Sequence, residues 1–266
     1  MTLIDRTRAV VEKRQVLRTL VIRDLRVRYS RSILGYVWTV LDPLLMSAIY
    51  FVVFVFIFKR GSIGYQPYFL FLVNGLLAWQ WFAGSLTDTS RALLSDAKLV
   101  RSTNLPREIW VVRVVIAKGV EYVLSLPVLA AFTLFYAVQG QVQFNAGLLL
   151  FPLGILLEFV LLIGLGLLLA PVTALVTDMA RVIKIVLRML FYLTPVLYSI
   201  DLIPAPYDKV AWLNPMTGVL EMLRAGFFDQ PVSPGPILVG AAISVALLFI
   251  GVVTFGRLER AVLKEI

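Results

Sequence analysis

The chain has 266 residues, of which 60% are hydrophobic and only 15% charged, with a mean hydropathy of +0.89 and a formal net charge of +9. A soluble domain carries about 25% charged residues, so the surplus apolar surface must face lipid, and an ordinary soluble protein is excluded. With no cysteine and no histidine, the chain lacks disulfides, thiolate metal sites, the commonest metal ligand and the usual general base, which argues against a metalloenzyme or a hydrolytic triad.

Nine of the 25 lysines and arginines lie in residues 1–31, directly ahead of a long apolar run. In that position basic residues bind anionic headgroups and set orientation, so membrane lipid is the expected partner and nucleic acid is not. Between Val16 and Tyr29, Leu17, Leu20, Val21 and Leu25 recur at helical spacing with Arg14, Arg18 and Arg26 between them. This predicts an amphipathic helix at the membrane interface with snorkelling arginines, or a solvated basic helix without membrane contact.

A helix needs about 20 apolar residues to cross a bilayer. That rule predicts an all-α integral membrane protein with six spans, at 33–58, 67–87, 109–138, 144–176, 182–200 and 236–256. The third and fourth runs are longer than needed and must tilt, project or break, with Pro152 and Pro171 as possible break points. Basic residues are concentrated in 1–31, 88–108, 177–181 and 257–266, whereas the opposite set holds Lys59, Arg60, Lys209 and Arg224. This places both termini in the cytoplasm. The 88–108 stretch predicts a short helix on the inner surface ended by the Asn104-Leu105-Pro106 turn. The 201–235 stretch, with prolines among Trp212, Leu220, Leu223, Phe227 and Phe228, predicts one or two short helices dipping into the outer interface. The whole chain then forms a single transmembrane domain: an interface segment, spans one to five to residue 200, the outer segment, the last span and a cytoplasmic tail from 257. No cleavable signal peptide is expected, and no Walker A pattern occurs.

On a helical wheel Tyr36, Thr39, Pro43, Ser47, Tyr50 and Phe54 fall within an arc of roughly 100°. Hydroxyls and rings on one face suit the lining of a polar conduit for sugar rings; a helix–helix packing face with satisfied hydroxyls is the other reading. In the fifth predicted span Lys184, Arg188, Phe191, Pro195 and Tyr198 also share a face, cations toward the cytoplasm and rings further out. Such a face fits a diphosphate head followed by a sugar chain, or arginine and lysine snorkelling to headgroups. Glu158 sits in mid-membrane, where a carboxylate must be paired, protonated or wet, with Arg188, Lys118 and Arg113 as candidate partners. Asp42 precedes Pro43, which should kink the first span, and could cap the break.

Arg23-Asp24-Leu25, Val27-Arg28-Tyr29, Ser32, Leu34-Gly35, Trp38 and Pro43 together resemble the signature of ABC-2 type permeases, in the branch that exports O-antigen, capsule, teichoic acid and actinobacterial galactan. Asn104-Leu105-Pro106, Thr194-Pro195-x-x-Tyr198 and Asn214-Pro215 followed by Arg224 add to the likeness, which covers nearly the whole length. The resemblance implies a homodimeric permease working with two copies of a separate ABC ATPase, which would bind the ATP and Mg; no cofactor is expected in this chain. The substrate would be a polysaccharide on a polyprenyl diphosphate, with actinobacterial galactan suggested by VLRTLVIRDLRVRYSRS. It implies a coupling helix in 88–108, where Arg91, Ser95, Lys98, Arg101 and Asn104 would meet the ATPase, and outer gate helices in 201–230. The helical faces then become a substrate channel of Tyr36, Thr39, Ser47, Tyr50, Phe54, Phe191 and Tyr198, with Arg28, Arg31, Lys184 and Arg188 at the lipid-diphosphate entrance. Two other classes compete: a proton-coupled transporter using Glu158, and a membrane enzyme on polyprenyl phosphates. The latter needs clustered acids, whereas Asp88, Asp96, Asp178, Asp201, Asp208 and Asp229 are scattered along the chain.

Overall fold

A computed structural model describes residues 3–30, 32–59, 63–142, 144–228 and 232–265. Arg31, Arg60 and Asp229 lie outside the described residues. Among the described residues every regular element is helical. The N-terminal stretch forms α1 (Leu3–Glu12) and α2 (Arg14–Tyr29), which packs on the N-terminal half of the long helix Glu108–Val138. The first apolar run is α3 (Gly35–Ile57), followed by α4 (Tyr68–Thr89), α5 (Ala92–Ser95), α6 (Ala97–Ser102), α7 (Glu108–Val138) and α8 (Ala146–Leu175). Then come α9 (Met179–Leu193), α10 (Asp208–Trp212), α11 (Pro215–Arg224) and α12 (Pro234–Glu265).

Five of these helices, α3, α4, α7, α8 and α12, are long and apolar enough to cross a membrane. The predicted span at 182–200 is not a single helix: α9 has 15 residues and stops at Leu193. Fifteen residues rise only about 22 Å, short of a hydrocarbon core of about 30 Å. The helix ends because Pro195 lacks a backbone donor, and Thr194 and Val196 turn the chain instead. Neither Pro152 nor Pro171 breaks α8: Pro152 lies in the first α-helical turn, where no intrahelical donor is needed, and the helix continues past Pro171 to Leu175. α3 likewise runs through Pro43 without a break, and its last residues, Val52–Ile57, widen into a π-helix. α12 continues as one helix through the residues expected to form a tail.

α4 is the central post, with Leu70, Phe71, Leu72, Val73 and Ala78 fully enclosed. Lipid offers helices no hydrophobic drive to associate, so close packing and polar bonds must hold them. Packing is closest where α8 meets α12: a Cβ at Gly251 would collide with the Gly164 carbonyl, and one at Gly164 would lie 2.6 Å from the Leu248 nitrogen. The polar bonds gather at α11. All its residues from Met216 to Arg224 are buried, against α12, α8 and α4. Asn214 caps its start by accepting from the Met216 amide (3.1 Å), and Pro215 occupies the first turn where its missing donor costs nothing. Asn74 on α4 donates to the Leu223 carbonyl (3.0 Å), and Asn214 donates to Thr194 Oγ1 (2.7 Å).

The 88–108 loop holds two short helices, α5 and α6, where one was expected. Leu93 and Val100 fix them by packing into a satellite core with Trp110, Val111, Leu167 and Phe255. The Asn104-Leu105-Pro106 stretch is non-helical, as its turn chemistry requires.

Candidate functional site: a cleft between α3, α4, α7 and α9

A cavity of about 640 Å³ opens between α3, α4, α7 and α9. Rings of Tyr50, Trp79, Phe191 and Tyr192 form its wall, and Lys118, Lys184 and Arg188 bring cations to it. Asp42 is the one acid among its lining residues. The ring centroids of Tyr50 and Phe191 are 6.0 Å apart, and those of Trp79 and Phe191 are 5.6 Å apart. Such a wall offers π-faces to apolar C–H groups, while the phenol and indole edges offer hydrogen bonds.

A second cavity of about 760 Å³ lies beside it, between α2, α5, the C-terminal end of α4 and the N-terminal part of α7, and shares Thr87 and Lys184 with the first. Its rim is charged but largely self-neutralised. Arg28 donates to Asp88 (2.8 Å) and pairs with Glu121 (3.3 Å), and Lys118 sits 3.2 Å from Glu121. Burial pulls the Arg28 guanidinium down, but the carboxylates of Glu121 and Asp88 outweigh it and hold the group above its ordinary value. Burial, and then the Glu121 carboxylate, pushes the Tyr29 phenol well up, so it serves as a neutral donor there.

The residues singled out from sequence fall in several different places. Tyr50, Lys184, Arg188 and Phe191 come together on the cleft. Thr39 and Ser47 are buried on the face by which α3 meets its neighbours, donating to the carbonyls of Tyr36 (2.7 Å) and Pro43 (2.7 Å). Tyr36 is exposed with its ring tilted at 45° against that of Tyr29, centroids 4.4 Å apart, Phe54 continues from Tyr50 at 6.4 Å, and Tyr198 donates to the carbonyls that end α9. Arg91 and Ser95 border the second cavity, while Lys98, Arg101 and Asn104 are exposed along and just beyond α6. Glu158 is fully enclosed with neither oxygen partnered among the described residues. Of its candidate partners, Arg113 and Lys118 are paired with other acids.

Sequence reasoning missed the contribution of α4: Trp79, Gln80, Ala83, Gly84 and Thr87 line the cleft. Their spacing was a usable signal, since a polar and small-residue face on an otherwise apolar helix points away from lipid.

The signature of the family described as "ABC-2 type transporter" matches residues 15–228. The chain belongs to the ABC-2 type transporter family. It is 30% identical over 245 residues to the O-antigen export system permease protein RfbA of Myxococcus xanthus, covering 91% of this chain and 92% of that one. It is 27% identical over 237 residues to an RfbA of Klebsiella pneumoniae, covering 89% of each chain. It is 25% identical over 248 residues to the polysialic acid transport protein KpsM of Escherichia coli, covering 92% and 94%. These ABC-2 relatives match across nearly their full length, so the shared pattern spans the helices that build the cleft as well as α11.

Proposed function

We propose that this ABC-2 protein is the permease subunit of an ATP-driven exporter that moves a polyprenyl-diphosphate-linked cell-surface polysaccharide across the cytoplasmic membrane. The cleft carries this reading: an aromatic wall suits sugar rings, and the adjoining cations suit a diphosphate. Relatives named for O-antigen export and polysialic acid transport support the same class of cargo. Within that class, actinobacterial galactan is the narrower candidate, resting on the wording of residues 16–32. ATP and Mg are bound by two copies of a separate ABC ATPase, which meets Arg91, Ser95, Lys98, Arg101 and Asn104.

The permease works as a homodimer with both termini cytoplasmic. Arg188 is exposed on α9 beside the open cleft, a costly position against lipid and a favourable one against a water-filled conduit closed by a second copy. The sixth crossing is made by α9 together with the turning 194–199 stretch, where Tyr68 of α4 donates to the Leu197 carbonyl and Arg224 of α11 to those of Pro195 and Val196. The channel surface consists of Tyr36, Tyr50, Phe54 and Phe191, and Lys184 and Arg188 receive the diphosphate, with Arg28 at the approach.

The test is reconstitution with the partner ATPase in liposomes. Tyr50→Ala and Phe191→Ala should lose glycan export while retaining ATPase co-purification. Normal export by both variants, or ATP-independent transport by this chain alone, would overturn the proposal.

A further inference from the structure

Arg113, on the second turn of α7, is 3% exposed, yet its guanidinium reaches two other elements. It donates to Asp24 of α2 (3.1 Å) and to Asp96, the residue between α5 and α6. Arg23 of α2 closes the square by donating to the same two aspartates, at 3.0 and 3.4 Å. Two arginines and two aspartates thus form a charge-balanced cluster, and the Trp110 ring centroid lies 5.0 Å from the Arg113 guanidinium carbon. About one turn further along α2 is a second rung, in which Arg28 and Lys118 share Asp88 and Glu121. Lys118 belongs to both this rung and the aromatic cleft.

A guanidinium presents its donors in a rigid planar fork, so one group that bridges two carboxylates fixes their separation. Burial removes salt screening, and pulling one partner away would leave a buried charge alone, which is strongly unfavourable. The α5–α6 segment is otherwise held by a few apolar contacts around Leu93 and Val100. Arg113 is therefore the buried group that bridges this segment to both α2 and α7.

We infer that Arg113 is a positioning residue: with Asp24 and Asp96 it locks the coupling segment, α2 and the N-terminal part of α7 into one rigid body. A push on residues 92–102 then travels along α7 to Lys118 at the cleft. This inference rests on the exporter reading for the source of the push. The lock itself is a property of the cluster.

The test uses the full permease–ATPase complex in liposomes. The triple variant Asp24→Asn, Asp96→Asn, Arg113→Gln removes the three charges together and keeps a polar side chain at each position. The expected result is ATPase co-purification within twofold of wild type, with glycan exported per ATP hydrolysed down about tenfold, within the range by which residues along a coupling route act. The cysteine-free sequence allows spin labels at Arg18→Cys on α2 and Ser102→Cys on α6. Their separation should stay constant between nucleotide-free and vanadate-trapped states in the wild-type background and diverge in the triple variant, a change that a merely stabilising cluster would not produce. If the triple variant does not fold, Arg113→Lys keeps the charge but loses the fork, and should give the same loss of export per ATP. An unchanged export ratio with unchanged label separation, in whichever variant folds, would overturn the inference. A wild-type complex that hydrolyses ATP but exports no glycan counts against the exporter reading alone, and the label distances still decide the lock.

Discussion

The guanidinium carbon of Arg224 lies 3.7 Å from the centroid of the Phe71 ring, and its two terminal nitrogens donate to the carbonyls of Pro195 (2.6 Å) and Val196 (2.8 Å). α4 leaves room for it with Gly75, where a Cβ would collide with the guanidinium. One buried side chain therefore holds the broken end of α9, α11 and α4 together. Arg224→Ala orphans both carbonyls, and each hydrogen bond to a charged group is worth about 1.5–3 kcal/mol. The variant should unfold at clearly lower temperature in detergent, and Arg224→Lys, lacking the fork, should recover less than half of the loss. Wild-type melting of the lysine variant would contradict this role.

Gly164 and Gly251 let α8 and α12 touch backbone to backbone. Gly251→Leu must force the pair apart, and overpacking of this kind costs about 1–3 kcal/mol. At Gly84 an added Cβ meets only the Lys118 stem at 3.4 Å or more, so Gly84→Ala serves as the control. Thermal stability in detergent should fall for the first and hold for the second.

Lys184 and Arg188 are exposed on α9, and the ion pairs described here do not include them, so their removal leaves no buried partner stranded. Lys184→Gln with Arg188→Gln should preserve yield and melting temperature but weaken glycan-stimulated ATP hydrolysis at least several-fold. Comparison of ATPase rates with and without lipid-linked glycan checks this; equal stimulation in both proteins would remove these cations from the substrate path.

Glu158 is enclosed and unpartnered, and it is not among the residues lining either cavity. Glu158→Gln keeps the shape of the side chain, and the expected change in stability is within about 1 kcal/mol. ATP-driven export should continue at the wild-type rate with and without an imposed pH gradient. A gradient-dependent rate in the wild type that disappears in the variant would establish a proton-coupling role instead.

Lys98 is exposed on α6, away from the charge clusters behind it. Lys98→Glu should lower ATPase co-purification without altering the melting temperature of the permease alone, which separates a docking contact from a folding contact.

That this is a helical membrane protein was legible along the chain, because continuous apolar runs of about 20 residues, without the alternation of barrel strands, satisfy their backbone in lipid as helices. Local hydropathy also placed α3, α4, α7 and α8 within a few residues, whereas α12 runs on to Glu265, past its expected end at 256, and the signature around Arg23–Pro43 pointed to the family. Only the tertiary structure decided which cations stay available and where the apolar run at 182–200 breaks. Arg28 is engaged by Asp88 and Glu121, residues 60 and 93 positions away, and Asp96 is claimed by Arg113. The turn that follows α9 is satisfied by Arg224, some 30 residues later, which donates to the carbonyls of Pro195 and Val196. Pairing and burial depend on distances between remote parts of the chain, and a pattern read along one helix contains no such distances.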